Sequence, residues 1–252
     1  MPATDLRPAA PPLDLFASAY LVLDFDGTLV NLVDRPDAVN VDPELRALLA
    51  RLAGALPGRV AIVSGRSVAQ LRAMLGDAAD GIALAGSHGA EIADAGRGED
   101  GCGTVTPPPT LNIVAARMHA FAASRPGVVV EPKTLGVALH YRLAPWHEAD
   151  AVAAARALAA EHGLILQHGK MMAEVRADGD KGRAVTRLAA TAGFAPLMFG
   201  DDVTDEDGFA AAAALDGAGV LVGEPRETQA AHSLADVAAV RRWLTHALDR
   251  AR

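Results

Sequence analysis

Two acidic clusters hold the residue types with which this chain could do chemistry. In LVLDFDGTLV (21–30), Asp24 and Asp26 stand one residue apart where an apolar run stops. In MFGDDVTDEDGF (198–209), a second apolar run stops at Gly200, and Asp201, Asp202, Asp205, Glu206 and Asp207 follow. Carboxylates this close repel, so either one keeps a proton or a divalent cation sits between them. The first state serves acid–base catalysis and the second serves an anionic ligand. Plain structural roles are open for each cluster. Asp and Gly start turns, and acids are favoured at a helix N-terminus, the role expected of Glu206 and Asp207. Neither run has the register of an EF-hand loop, which needs a glycine at its sharp turn and a closing glutamate. Hard carboxylate oxygens without His or Cys select magnesium, an ion that keeps waters and takes phosphate oxygens as ligands.

Two further segments offer matching chemistry. IVSGR (62–66) ends an apolar run in Ser64-Gly65, a hydroxyl and free N–H groups suited to an anion at a helix start. An ordinary serine cap would have the same pattern. Lys181, in ADGDKGRAV, opens a helical pattern, where a cation opposes the macrodipole unless something negative faces it. A solvated lysine is the alternative.

These residues need a frame that brings distant segments to one edge. Apolar runs at 20–24, 59–63, 82–85, 196–199 and 220–222 alternate with helical patterns at 43–55, 68–75, 181–192 and 236–248. That alternation predicts an α/β fold with a parallel sheet. Such sheets bind ligands beyond the carboxyl ends of their strands, where Asp24, Ser64 and Asp201 all fall. After a Gly- and Pro-rich loop at 96–109, the pattern becomes helix, strand, strand, helix, strand, strand, at 111–123, 128–131, 137–142, 147–162, 164–168 and 171–175. Short connections predict antiparallel pairing, hence an inserted α+β unit. The expected organisation is a flexible segment over 1–18, a core over 19–106 and 179–252, and an insert over 107–178.

Composition narrows the partners. The 252 residues are 51% hydrophobic, yet no window reaches the roughly 20 apolar residues that cross a bilayer. The opening MPATDLRPAAPPLDL lacks the apolar stretch of a secretion signal. The single cysteine, Cys102, cannot form an internal disulfide, and no Cys/His cluster has zinc spacing. A cytoplasmic protein without a membrane partner is expected. A net charge of −8 and 4% aromatic residues argue against nucleic acid, so an anionic ligand requires local cations or a metal. GRGEDG (96–101) formally fits a dinucleotide loop, but TVTPPP follows it instead of a helix. His119, His162 and His246 read as surface or satisfied residues, and Trp146 as packing.

Asp24-Phe-Asp26-Gly-Thr28, Ser64-Gly-Arg66, Lys181 and Gly200-Asp201-Asp202-x-x-Asp205 resemble, in order and placement, the four motifs of the haloacid dehalogenase (HAD) superfamily of phosphatases. The resemblance implies a Rossmann-like parallel-sheet core with the inserted unit as a cap. It also implies roles. Asp24 would be the nucleophile that forms an aspartyl-phosphate. Asp26 would protonate the departing oxygen and then deprotonate the attacking water. Ser64 would bind the transferring phosphoryl group, while Lys181 and Mg²⁺ remove the repulsion between Asp24 and an anionic ester. Asp201 would hold the metal with Asp24 and the Asp26 carbonyl, Asp202 would share that task, and Asp205 would brace the site. Thr28, Gly65 and Arg66, in the same motifs, would contact substrate.

The insert carries EPKTLGVALHYR (131–142) and QHGKMMAEVR (167–176). Alternation places His140 and Arg142 on one face of a strand, opposite Leu139 and Tyr141. A charged face can be simple solvent exposure. With the Gly86-Ser87-His88-Gly89 turn, the E-x-K…H-Y-R and G-K…E-x-R stretches, the K-G step and G-D-D-x-T-D-E, the chain resembles the trehalose-6-phosphate phosphatase family from about 19 to 236. The resemblance implies that Glu131, Lys133, Arg142, Lys170 and Glu174, with His88 and His140, contact a sugar phosphate, trehalose 6-phosphate. Carboxylates and cations together suit hydroxyls, which both donate and accept. A functional link to a trehalose-6-phosphate synthase is implied as well, and Gly86 and residues 107–109 would act as hinges. Open alternatives are a phosphatase for another ester such as sucrose or mannosylglycerate phosphate, a phosphomutase, and a non-catalytic sugar-phosphate sensor.

Overall fold

The structure is a computed structural model that describes residues 8–33, 38–95, 107–177 and 180–251. The GRGEDG segment and Cys102 lie outside the described residues. In chain order the first elements are α1 (Leu15–Ser18), β1 (Ala19–Asp24), α2 (Pro43–Ala55), β2 (Val60–Val63), α3 (Val68–Leu75), β3 (Ala83–Gly86) and β4 (Glu91–Ala93). Next come α4 (Thr110–Ala123), β5 (Val129–Pro132), β6 (Gly136–His140), α5 (Glu148–His162), β7 (Ile165–Gly169) and β8 (Met172–Arg176). The last are α6 (Lys181–Ala192), β9 (Ala195–Gly200), α7 (Glu206–Ala214), β10 (Ala218–Val222), β11 (His232–Leu234) and α8 (Val237–Arg250). The chain divides into two units, one built from residues up to 32, 40–103 and 180 onward, the other from 33–39 and 104–179.

The first unit holds a seven-stranded sheet in the order β11-β10-β9-β1-β2-β3-β4, parallel except for the antiparallel β3–β4 pair. Continuous apolar runs suit a sheet covered on both faces, and all six residues of β1 are buried. Tyr20 and Val22 pack with Ala184, Val185 and Leu188 of α6 and Phe209 of α7. Leu21 and Leu23 point the other way. On that side Trp243 of α8 meets Phe199 at 5.4 Å and Phe16 at 6.4 Å between ring centroids. Local signals set the helix ends that matter to the site. Asp42 accepts from Leu45 N–H ahead of Pro43, and Ser67 and Gln70 form a reciprocal cap on α3.

Register brings residues distant in the sequence to one edge of the sheet. Asp24 pairs with Val63, so Ser64 comes next beside it, and Leu23 pairs with Phe199, so Gly200 and Asp201 follow on the other neighbour. The three-residue strands β4 and β11 extend the five predicted strands, being too short to show periodicity. Residues 8–18, predicted as a flexible lead-in, are tied down. Ser233 donates through N–H and Oγ to the carbonyls of Ala9 and Pro8, and Trp243 Nε1 donates to Pro11 at 2.7 Å. Proline carbonyls and one buried Phe16 do this without a periodic pattern that a sequence could show.

The second unit is a four-stranded antiparallel sheet, β5-β6-β8-β7. Val137, Leu139, Ala173 and Val175 turn one face onto Val114 and Met118 of α4 and Ala155 and Leu158 of α5. The other face is polar. β6 ends at His140, so Arg142 lies beyond the strand, and Lys170 sits in the β7–β8 turn. Among the described residues no helix is long and apolar enough to cross a membrane.

Candidate active site

Lys181 occupies the first position of α6, where the macrodipole disfavours a cation. Its Nζ donates to Asp24 Oδ1 at 2.8 Å and to Asp205 Oδ1 at 2.7 Å, and all three side chains are buried. Asp205 Oδ2 accepts the N–H groups of Asp201 and Asp202, each at 3.0 Å. Asp205 is therefore a brace with both oxygens engaged. Gly200 makes room for it, since a side chain there would overlap its carboxylate. Gly27, at φ +85°, likewise leaves space that the Asp201 carboxylate fills.

Asp24, Asp201 and Asp205 offer carboxylate oxygens within 4.8 Å of one another. Three carboxylates face one ammonium, an excess of two negative charges in a buried space. Burial pushes the Asp24 carboxyl well above the usual carboxylate range; the Lys181 ammonium opposes this, and the charges of Asp205 and Asp201 add to it. Burial alone would lower Lys181, but Asp205 and Asp24 hold its ammonium above the ordinary lysine range. A charged lysine bonded to two carboxylates is the stable element of the cluster. The remaining imbalance matches one divalent cation with hard-oxygen preference, so the donor set fits the metal that the sequence predicts. Asp202 is turned elsewhere, its carboxylate accepting from Val203 N–H at 2.7 Å.

Asp26 is held differently. Arg66 Nε donates to its Oδ2 at 2.7 Å and Nη2 to its Oδ1 at 2.8 Å, a two-pronged pair over the Phe25 ring. Ser64 is buried and its Oγ accepts Arg66 N–H at 3.1 Å. The His88 imidazole covers Gly65, whose missing Cβ would come 2.7 Å from His88 Cε1 and Nε2. The Thr28 hydroxyl is buried without a hydrogen-bond partner among the described residues. At Gly86 the backbone of Arg66, Ser67 and Val68 comes so close that a side chain would strike it.

In the second unit the polar sheet face is a connected charge array. Glu131, Ala138, Glu174 and Gln167 stand side by side across four strands. Lys133 Nζ lies 2.7 Å from Glu174 Oε2 and 3.9 Å from Glu131 Oε2, and His140 Nε2 lies 2.8 Å from Glu131 Oε2. Glu174 is only 2% exposed. Arg142 Nη2 donates to the Lys170 carbonyl at 3.2 Å. Arg176 Nε donates to Gln167 Oε1 at 2.5 Å, which extends the array.

Several supporting residues have no local signal. Glu206, predicted as a solvated helix start, accepts from Thr228 Oγ1, Gln229 N–H and Arg226. Arg226 Nη2 also donates to the Asp202 carbonyl at 2.8 Å, fastening the acidic loop. Arg241 of α8 donates to the Leu29 carbonyl and to Asp42, securing the turn after Asp26.

The fold, taken with the relatives described next, places the chain in the HAD superfamily, among phosphoric monoester hydrolases. The family description "Trehalose-phosphatase" matches residues 22–237. The chain is 36% identical over 239 residues to the trehalose-6-phosphate phosphatase of Escherichia coli (strain K12), covering 92% of this chain and 87% of that protein. It is 39% identical over 196 residues to the trehalose-phosphate phosphatase of Mycobacterium avium (strain 104), covering 74% of this chain. It spans about half of that mycobacterial relative, 49% of its length. A crystal structure of a trehalose-6-phosphate phosphatase related protein superposes with a TM-score of 0.77 at 26% identity, over 91% of this chain and 97% of that one. The chain belongs to the trehalose-phosphatase family.

Proposed function

We propose that the chain hydrolyses trehalose 6-phosphate to trehalose and phosphate, with Mg²⁺ and an aspartyl-phosphate intermediate. The observation that carries this reading is Lys181 Nζ between Asp24 and Asp205, in one buried cluster with Asp201. The family match and the names of the two relatives support the substrate.

Asp24 and Asp201, with the Asp26 carbonyl, would hold Mg²⁺. That ion would supply charge neutralisation at the phosphoryl oxygens. Lys181 adds its own positive charge beside the nucleophile, and Asp205 fixes Lys181. An Asp24 carboxylate oxygen attacks phosphorus, the bond from phosphorus to the sugar oxygen breaks, and Asp26 delivers its proton to that oxygen. Asp26 then takes a proton from a water whose oxygen attacks the same phosphorus. The bond to Asp24 breaks, phosphate leaves, and both acids return to their starting states. Arg66 takes one lone pair on each Asp26 oxygen, which orients the carboxyl and leaves a second lone pair on each for the proton. Ser64 and Thr28 hydroxyls would donate to the phosphoryl group. The Glu131, Lys133, His140 and Glu174 array, with Arg142 and Lys170, would take the disaccharide hydroxyls. A cytoplasmic trehalose-6-phosphate synthase would supply the substrate.

The test is phosphate release from trehalose 6-phosphate, with and without Mg²⁺, by wild type and Asp24→Asn. Activity is expected only with metal and Asp24 both present. Acid-quenched turnover followed by mass spectrometry should place phosphate on the Asp24 peptide. Faster hydrolysis of sucrose or mannosylglycerate phosphate in a substrate panel would move the assignment to that ester.

A further inference from the structure

We propose that Glu91 is a positioning residue for the phosphoryl-binding turn, a role that rests on the phosphatase reading for its catalytic consequence. Glu91 lies on β4 opposite Gly86 and is 6% exposed. Its carboxylate joins two separate segments, accepting from Ser87 Oγ at 2.5 Å and from Val68 N–H, the first residue of α3, at 3.1 Å. Between these anchors the two turns are laced together. Ser64 N–H donates to the Ala85 carbonyl, Ser87 N–H to Arg66, and His88 N–H to Ser64, at 2.9, 2.8 and 2.9 Å.

The 87–88 turn would not adopt this shape by itself. Ser87 at φ +49° and His88 at φ +56° are consecutive non-glycine residues in the left-handed region, which L side chains populate only when surroundings over-determine it. Glu91 supplies such a restraint through Ser87. The result of that backbone path is the His88 ring lying over Gly65, directly beside Ser64 and Arg66. If Ser87 relaxed toward negative φ, both the His88 ring and the Ser64 carbonyl contact would move. Small displacements at such a site cost about 10²-fold in rate. Glu91 thus acts through Ser87, Val68 and His88 on the residues that meet phosphate.

The test compares full-length wild type, Glu91→Ala, Glu91→Gln and Glu91→Ala with Ser87→Gly. Gln can still accept from Val68 N–H and donate to Ser87 Oγ, and glycine at 87 accepts positive φ without strain. Glu91→Ala is expected to lower kcat for trehalose 6-phosphate by about 10–10²-fold. Glu91→Gln should stay within about 3-fold of wild type, and Ser87→Gly should restore much of the loss. Independently of activity, hydrogen exchange at the Val68, Ser87 and His88 amides should quicken in Glu91→Ala while other core amides keep their protection. Unchanged kcat in Glu91→Ala, a Gln variant as poor as Ala, no recovery with glycine, or uniform loss of protection would each overturn the proposal. Should Glu91→Ala not fold, the Gln and glycine-containing chains carry the same comparison. If wild type releases no phosphate, the functional reading fails, and the exchange pattern still decides whether Glu91 holds the turn.

Discussion

In the buried cluster Asp24 shares Lys181 with Asp205 and has Asp201 as a further acidic neighbour. As the proposed nucleophile for an anionic ester, Asp24 would benefit from that arrangement only when a dication balances the excess charge. Stability should therefore oppose function at this residue. Asp24→Asn is expected to melt about 2–4 °C above wild type in chelator, the shift worth about 1 kcal/mol in a chain of this size. Added Mg²⁺ should close the gap by stabilising wild type alone. Paired thermal melts check this, and an unchanged midpoint in chelator would mean the cluster carries no charge strain. Arg66 is a second test at this scale. Lysine keeps its charge but not its planar fork, so Arg66→Lys should leave Asp26 poorly oriented and lower kcat by about 10–10²-fold. Steady-state kinetics with folded variant decides it.

Elements set where these side chains can go, and two close approaches show how. On the second unit's sheet, a Cβ at Gly136 would sit 2.5 Å from Glu174 Oε1. Gly136→Ala is expected to push Glu174 away from Lys133 and raise KM about 10-fold while kcat stays within about 3-fold, the signature of lost ground-state binding. A fall in kcat with unchanged KM would assign the strand another role. In the first unit, Arg241 joins α8 to the N-cap of α2. For Asp42, burial raises the carboxyl pKa, but hydrogen bonds from Arg241 and Leu45 N–H outweigh it and hold Asp42 below the usual carboxylate range. A lowered folded pKa contributes stability above the unfolded value, about 3.9, and the contribution is lost as pH falls through the folded value. The stability gap between wild type and Arg241→Met should therefore be full near neutral pH and shrink in acid. Urea melts across that window measure it, and a gap that widens in acid would contradict the linkage.

Over the whole molecule, residues 8–18 ahead of β1 belong to the first unit's packing. Phe16 is buried against Trp243, whose indole N–H is taken by Pro11. Phe16→Ala should cost about 3–5 kcal/mol in chemical denaturation, far from the active site and with little change in KM. A surface-like cost would return this segment to the loose lead-in that its Pro/Ala composition predicts. The same contrast runs through the chain. Strand, helix and insert were legible because apolar period and turn residues are local, and so was the placement of Asp24, Asp26, Ser64 and Asp201 at or just past strand ends and of Lys181 at a helix start. Glu91, Arg226 and Arg241 were not. Each has a partner far along the chain, 23, 20 and 212 residues away, and an isolated charge in a sequence does not name the distant group it meets. By itself the sequence determined the alternation of strands and helices, the insert and the types of acid and base at the sheet edge, since these follow from nearest-neighbour chemistry. Only the tertiary structure decided that Lys181 bridges Asp24 to Asp205, that Asp26 is gripped by Arg66 and that Asp202 turns aside, because register and burial choose among carboxylates that local chemistry leaves equivalent.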